Sequence, residues 1–220
     1  MFINKKIIVF VFTFLFIPFT LNAQEGYINV KYGITSHDSN FKATKGSSTV
    51  DEDDEGYMFS GGLFLIGDNI GLDFMYYDMG GTSIKVNAGD IINIDGADYL
   101  IGTSGGTISN TVDGYGLGIV LASSPSDSGF LNFGFQGKFG LHQWDKSGST
   151  TLIHNSSTDK SIEGRFYDSG TDLYASVGVN LGLTEAIALN ASYDVMGFDD
   201  SASSLDSASS MYSLGLTLSF

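Results

Sequence analysis

The sequence predicts an all-β protein, an eight-stranded antiparallel up-and-down transmembrane β-barrel. Three observations carry that expectation. Apolar residues alternate with small or polar ones over eight segments, which is the period of a strand with two unlike faces. The connections between those segments alternate long and short. Proline, which cannot donate to a ladder, occurs only twice in 220 residues, at Pro18 and Pro125, and both stand outside the alternating segments.

The chain opens "MFINKKIIVFVFTFLFIPFTLNAQEG". Lys5 and Lys6 precede an apolar run over residues 7–21, and a polar Asn22 and small Ala23 follow it. That order describes a secretory signal peptide over residues 1–23. The run is 15 residues long, short of the roughly 20 that a membrane-spanning helix needs. Residues 24–220 then form one outer-membrane β-barrel domain. Its eight strands are "GYINVKYGITS", "GYMFSGGLFLI", "NIGLDFMYYD", "GYGLGIVLA", "GFLNFGFQGKFGLHQW", "TDLYASVGVNLGL", "EAIALNASYDVMGF" and "MYSLGLTLSF". In each, one face is bulky and apolar and the other is Gly, Ser, Asn or charged. The arrangement suits lipid outside and a narrow lumen inside, with an inner face too small and too polar for a dry core. Closure is required, because hydrocarbon leaves no partner for an unpaired backbone group.

"GDN", "SSPSDSG" and "TE" are the short connections. The long ones lie between the first two strands and over residues 79–113, 146–170 and 199–209, and read as loops. Within the second, "DIINIDGADYLIG" carries a hairpin signal at Asp95–Gly96. Tyr32, Tyr57, Tyr76, Tyr115, Tyr193 and Tyr212 fall on the apolar face near the long-loop ends of their strands, where an aromatic girdle meets headgroups. The first and last strands pair, so "MYSLGLTLSF" closes the barrel instead of leaving an edge.

The formal charge is −15, and loss of two lysines with the leader takes it to −17, which excludes nucleic acid as a partner. Cysteine is absent, so the fold has no disulfides. The small face places Lys31, Asp73, Lys138 and Asp194 in the lumen, two of each sign, and burial requires that they pair. His142, four residues from Lys138 on the same face, is placed to join them, in a structural network or as a gate. "VDEDDEG" lacks the spacing of a calcium loop and reads as a solvated acidic run. His37, His142 and His154 are the only histidines, and His37-Asp38-Ser39 is no triad, because adjacent residues of a strand point apart. No catalytic site, metal or cofactor is expected.

The whole chain after the leader resembles the eight-stranded outer-membrane β-barrel family, the group of the outer membrane protein A transmembrane domain and the small X-type barrels. "GGLFLIGDNIGLDFMYYDMG" and "GVNLGLTEAIALNASYDVMGFDD" are similar to that family's hairpins, and the strand ending on Phe220 is similar to its C-terminal assembly signal. The resemblance implies a bacterial outer-membrane location with both mature termini periplasmic. It further implies contact with outer-membrane lipid, delivery by the barrel-assembly machinery, and a monomer. A peptidoglycan-binding domain, which many relatives carry after the barrel, is not expected. The function expected is structural or surface interaction through the long loops, in adhesion or envelope integrity, with an unidentified extracellular partner. The alternative is a narrow non-specific pore for small solutes.

Overall fold

The computed structural model describes residues 25–38, 42–67, 69–94, 97–123, 132–154, 160–198 and 208–220. The leader, Pro125 and the Asp95–Gly96 turn lie outside the described residues. Eleven strands follow in order: β1 (Gly26–Asp38), β2 (Lys42–Lys45), β3 (Thr49–Asp51), β4 (Asp53–Ile66), β5 (Ile70–Val86), β6 (Ile91–Ile94), β7 (Ala97–Ala122), β8 (Asn132–His154), β9 (Lys160–Gly182), β10 (Ile187–Gly197) and β11 (Ala208–Ser219). Eight of them form a closed antiparallel ring, β1-β4-β5-β7-β8-β9-β10-β11. β11 returns onto β1 in continuous register from Tyr27↔Ser219 to Asp38↔Ala208. Gly26 and Phe220 exchange two backbone hydrogen bonds of 2.8 and 3.0 Å, so the last residue is part of the seam.

The expectation of loops over residues 79–113 and 146–170 is corrected. β5 runs on to Val86, β7 begins at Ala97, β8 reaches His154 and β9 begins at Lys160. β7 and β8 stay paired up to Ile101↔His154, and β8 and β9 up to His154↔Lys160. β10 leaves β9 at Tyr174↔Met196, so a sheet of β5, β7, β8 and β9, with β3 added on β5, rises beyond the ring on one side. The alternation continues through these segments with its chemistry reversed. Thr82, Ile84, Val86, Ile108, Asn110 and Val112 point inward, while Ser83, Lys85, Thr107, Ser109 and Thr111 are exposed. That is the pattern of a sheet wall in water, and a search for apolar-out strands passes over it.

β5 crosses between the two patterns through a bulge. Asp78 pairs with Asp113 and Gly81 with Thr111, so β5 spends one residue more than β7. Gly80 takes the extra position at φ +67°, a left-handed conformation that a side chain disfavours.

A second correction concerns the lumen. Met58, Met75, Tyr77, Met79, Val112, Trp144, Tyr174, Met196, Phe198 and Met211 form a buried apolar cluster. The inner face therefore does build a dry core, in the half nearer the long connections. It fits because glycines on the same face leave room. A Cβ at Gly170 would sit 2.6 Å from the Trp144 ring, and one at Gly140 would lie 2.8 Å from the Tyr174 ring.

The lumen and rim as candidate functional site

At the end that carries the termini, the lumen opens into a cavity of about 200 Å³ whose lining includes Tyr27, Gln136, Asn180 and Thr217. Amide side chains tie its upper wall together. Asn29 donates to Thr217 Oγ1 at 2.6 Å, and Asn190 donates to Asn180 Oδ1 at 2.8 Å.

The four charges placed in the lumen by the sequence meet in two pairs. Lys138 Nζ lies 2.7 Å from Asp73 Oδ1 and also donates to Ser60 Oγ at 2.9 Å. The Tyr27 hydroxyl donates to the same Asp73 oxygen, and Lys138 Nζ stands 5.1 Å from the centre of the Tyr27 ring. Lys31 Nζ lies 2.7 Å from Asp194 Oδ1 and donates to Ser192 Oγ at 2.9 Å. Ser192 and Ser213 in turn donate to Asp194 Oδ2 at 2.8 and 3.3 Å. Strands distant in sequence thus clamp one another across the lumen, and each of these four charges has an opposite charge and a hydroxyl.

His142 does not join these pairs. Its Nε2 lies 2.8 Å from the Gly197 carbonyl oxygen and its Nδ1 lies 2.5 Å from the Tyr77 hydroxyl, with the ring against Tyr77, Tyr174 and Phe198 of the buried cluster. A carbonyl only accepts, so Nε2 carries the proton and Nδ1 accepts from Tyr77. His37 repeats the arrangement on β1: Nε2 donates to the Met79 carbonyl at 3.1 Å and Nδ1 accepts from Ser209 at 2.6 Å. Each imidazole joins strands on opposite sides of its own. His37 points inward while Asp38 is exposed.

Tyr32 pairs with Tyr57, Tyr76 with Tyr115 and Tyr193 with Tyr212, all on the outer face. The six cover adjacent strands from β10 through β11, β1, β4 and β5 to β7. On β8 and β9 the same level is held by Gln143 and Thr171. Toward the termini, the outward residues are Leu117, Ile119, Phe139, Leu214, Leu216 and others like them, and none is charged among the described residues. Immediately on the other side of the tyrosines stand Asp78, Asp113 and Asp145, directly opposite one another on three strands.

The acidic run divides between β3, which ends at Asp51, and β4, which starts at Asp53. Asp54 accepts from the backbone N–H of Gly81 and of Glu55, each at 2.8 Å. Among the described residues no acid or histidine group is arranged to hold a metal ion. The side chain of His154 lies outside the described residues.

Sequence reasoning missed three features. Tyr27 and Tyr174 are lumen residues, and their place on the small-residue phase of their strands was the signal for it. The methionines carried the same signal: Met58, Met75, Met79, Met196 and Met211 are each at most 1% exposed, whereas the leucines of β7 and β11 all face outward. Asp90 left no local mark. Its carboxylate accepts from Ser48 Oγ at 2.6 Å and from the backbone of Ser47 and Asn87 at 3.2 and 3.3 Å, tying residues 47–48 to the start of β6. The Ser48 hydroxyl first, and these N–H groups after it, hold the Asp90 carboxyl below the usual carboxylate range.

No protein-family model matches the chain, and no curated protein matches it. Solved structures do. The chain is similar to the crystal structure of Ail, the attachment invasion locus protein of Yersinia pestis, at 13% identity over 90% of this chain and 99% of that one, with a TM-score of 0.48. It is similar to the outer membrane protein OprG from Pseudomonas aeruginosa at 11% identity over 90% and 96%, TM-score 0.49. Neisserial surface protein A matches at 12% identity over 90% and 99%, TM-score 0.47. These likenesses concern the fold alone. With its closed antiparallel ring, apolar outer band and paired lumen charges, the chain has the fold of an eight-stranded outer-membrane β-barrel.

Proposed function

We propose that the chain is a bacterial outer-membrane barrel that holds a β-sheet above the membrane as a contact element, in adhesion or envelope integrity. The observation that carries this reading is the sheet itself. β7, β8 and β9 continue well beyond the tyrosine level, and the upper half of β9 has no strand on its second side among the described residues. An exposed strand edge is a template for an extended partner segment. Both termini would face the periplasm and the sheet would face outward. The lumen supports an anchor more than a channel, because two ion pairs and a methionine–aromatic layer cross it. Replacing residues 147–169 by a tight turn should leave the heat-dependent gel shift of the folded barrel intact and abolish attachment of cells to surfaces. Unchanged attachment would defeat the reading.

The cavity at the termini end favours a second reading, a narrow pore gated at Lys138 and Asp73. Single-channel recording of the refolded barrel in a planar bilayer decides it. Discrete openings that change with Lys138→Ala would establish the pore, and a silent bilayer would remove it.

A further inference from the structure

Beyond Tyr174, β9 pairs with β8 on one side and, among the described residues, with no strand on the other. The sequence of that edge, "KSIEGRFYD" over residues 160–168, is antisymmetric in charge about Gly164. Lys160 and Glu163 before the glycine are matched by Asp168 and Arg165 after it, at equal spacing and with opposite sign. Ile162 and Phe166 stand at equal distances from it as well. The chain's own packing does not call for glycine at this position. Gly164 is exposed, its φ is not positive, and a Cβ there would meet nothing nearer than Thr150 Cγ2 at 3.9 Å. Glycine inside a strand often marks the close approach of another backbone.

From this pattern we infer that the open edge of β9 pairs with the same edge of a second copy of the chain, antiparallel and centred on Gly164. In that register Glu163 of each copy stands opposite the second copy's Arg165, Lys160 opposite Asp168, and Ile162 opposite Phe166. The two-fold axis makes each of these contacts twice. Opposite charges across a strand pair are favourable, and like charges directly opposite are not. The same contact completes a backbone ladder that is otherwise open on one side.

Strand direction decides where the second copy sits. β9 runs from Lys160, at the far end of the raised sheet, to Gly182 at the end that carries the termini. Two copies side by side in one membrane present this edge in the same direction. Each residue then meets its own kind at equal height, and like charges oppose. Copies in two membranes that face each other present the edge in opposite directions, as the pairing requires. Gly164 lies seven residues beyond Thr171, the belt-level residue of β9, which is about 23 Å along the strand. Two barrels joined there hold their belts at most about 46 Å apart. One joint is small, so its strength comes from many copies engaging across the same gap.

The inference rests on the reading of this sheet as a contact element above an outer membrane, and it names the partner. The test uses the refolded mature chain in phosphatidylcholine vesicles, with the gel shift and an outward-facing sheet checked first. Clustering of the vesicles is followed by dynamic light scattering. Wild-type vesicles should cluster, and Arg165→Glu or Glu163→Arg alone should slow clustering about tenfold or more, since each sets like charges opposite each other. Mixing those two populations should restore it, because unlike charges then meet again at both positions. The double variant, Glu163→Arg with Arg165→Glu, should cluster by itself. Restoration on mixing also shows that neither single variant has lost its fold. Wild-type vesicles that stay dispersed, single variants that cluster normally, or a mixture that stays apart would each overturn the proposal. Dispersed vesicles together with cells that still attach through residues 147–169 would assign the edge to a different partner and leave the contact reading standing.

Discussion

One strand, β7, passes through two environments, and its two halves obey opposite rules. From Tyr115 to Leu121 its outward residues are Tyr, Leu, Ile and Leu, and its inward ones are Gly116, Gly118 and Val120. From Thr107 to Asp113 the outward residues are Thr, Ser, Thr and Asp, while Ile108, Asn110 and Val112 are inside. The backbone ladder is continuous from Thr107 to Ala122. What changes is the solvent outside the wall. Where the exterior is apolar, the interior can hold ion pairs and hydroxyls. Where the exterior is wet, apolar burial must come from within. The Tyr115 level marks the boundary, and the aspartates beside it show how abruptly the exterior changes.

Breaking a lumen pair should have the largest effect. Asp73→Ala leaves Lys138 buried without its carboxylate and should cost about 3–5 kcal/mol in urea unfolding of the barrel in lipid vesicles. Replacing both, as Asp73→Leu with Lys138→Met, should recover most of that loss. A single variant as stable as the wild type would show the pair to be dispensable.

The boundary itself is tested by one substitution made twice on the same face of β7. Ile119→Arg should cost about 2–4 kcal/mol, the penalty of a cation against the middle of a bilayer. Ser109→Arg, ten residues along and equally outward, should stay within about 0.5 kcal/mol. Equal costs at the two positions would erase the distinction between the two halves.

The methionine layer should respond more weakly. Met58→Leu conserves volume in a packed interior and should cost less than about 1.5 kcal/mol by the same unfolding assay. A larger loss would mean that the flexibility of methionine is needed to fill the space between the glycines.

Asp90 should give the smallest and most local effect. Its carboxyl is held below the usual range, so its hydrogen bonds are in place at neutral pH and are lost as pH falls through that lowered value. Asp90→Asn at neutral pH, or acid in the wild type, should lower the hydrogen-exchange protection of Ser47 and Asn87, taken relative to the intrinsic rate at each pH, while the barrel strands stay protected. Protection at Ser47 that does not change with pH would exclude the clamp.

The barrel was legible in the sequence because lipid makes a demand that one strand can show alone. A segment such as "MYSLGLTLSF" must put its bulky residues on one side, and closure follows from pairing every backbone group. The positions of Lys31, Asp73, Lys138 and Asp194 on the small-residue phase were legible for the same reason. The raised sheet was not, since "TISNTV" and "TSIKV" alternate in a phase that has meaning only once the interior has been located. Nor was the choice of partners. Lys138 with Asp73 and Lys31 with Asp194 are set by the stagger of strands far apart in the chain, as are the hydroxyl of Tyr77 on His142 and the grip of Asp90 on Ser48. Period and composition by themselves determined the ring, its greasy exterior and its charged interior. Only the tertiary structure decided how high the wall stands, which charges meet and which side chains pack inside the lumen, because those depend on register, a relation between strands that no single strand carries.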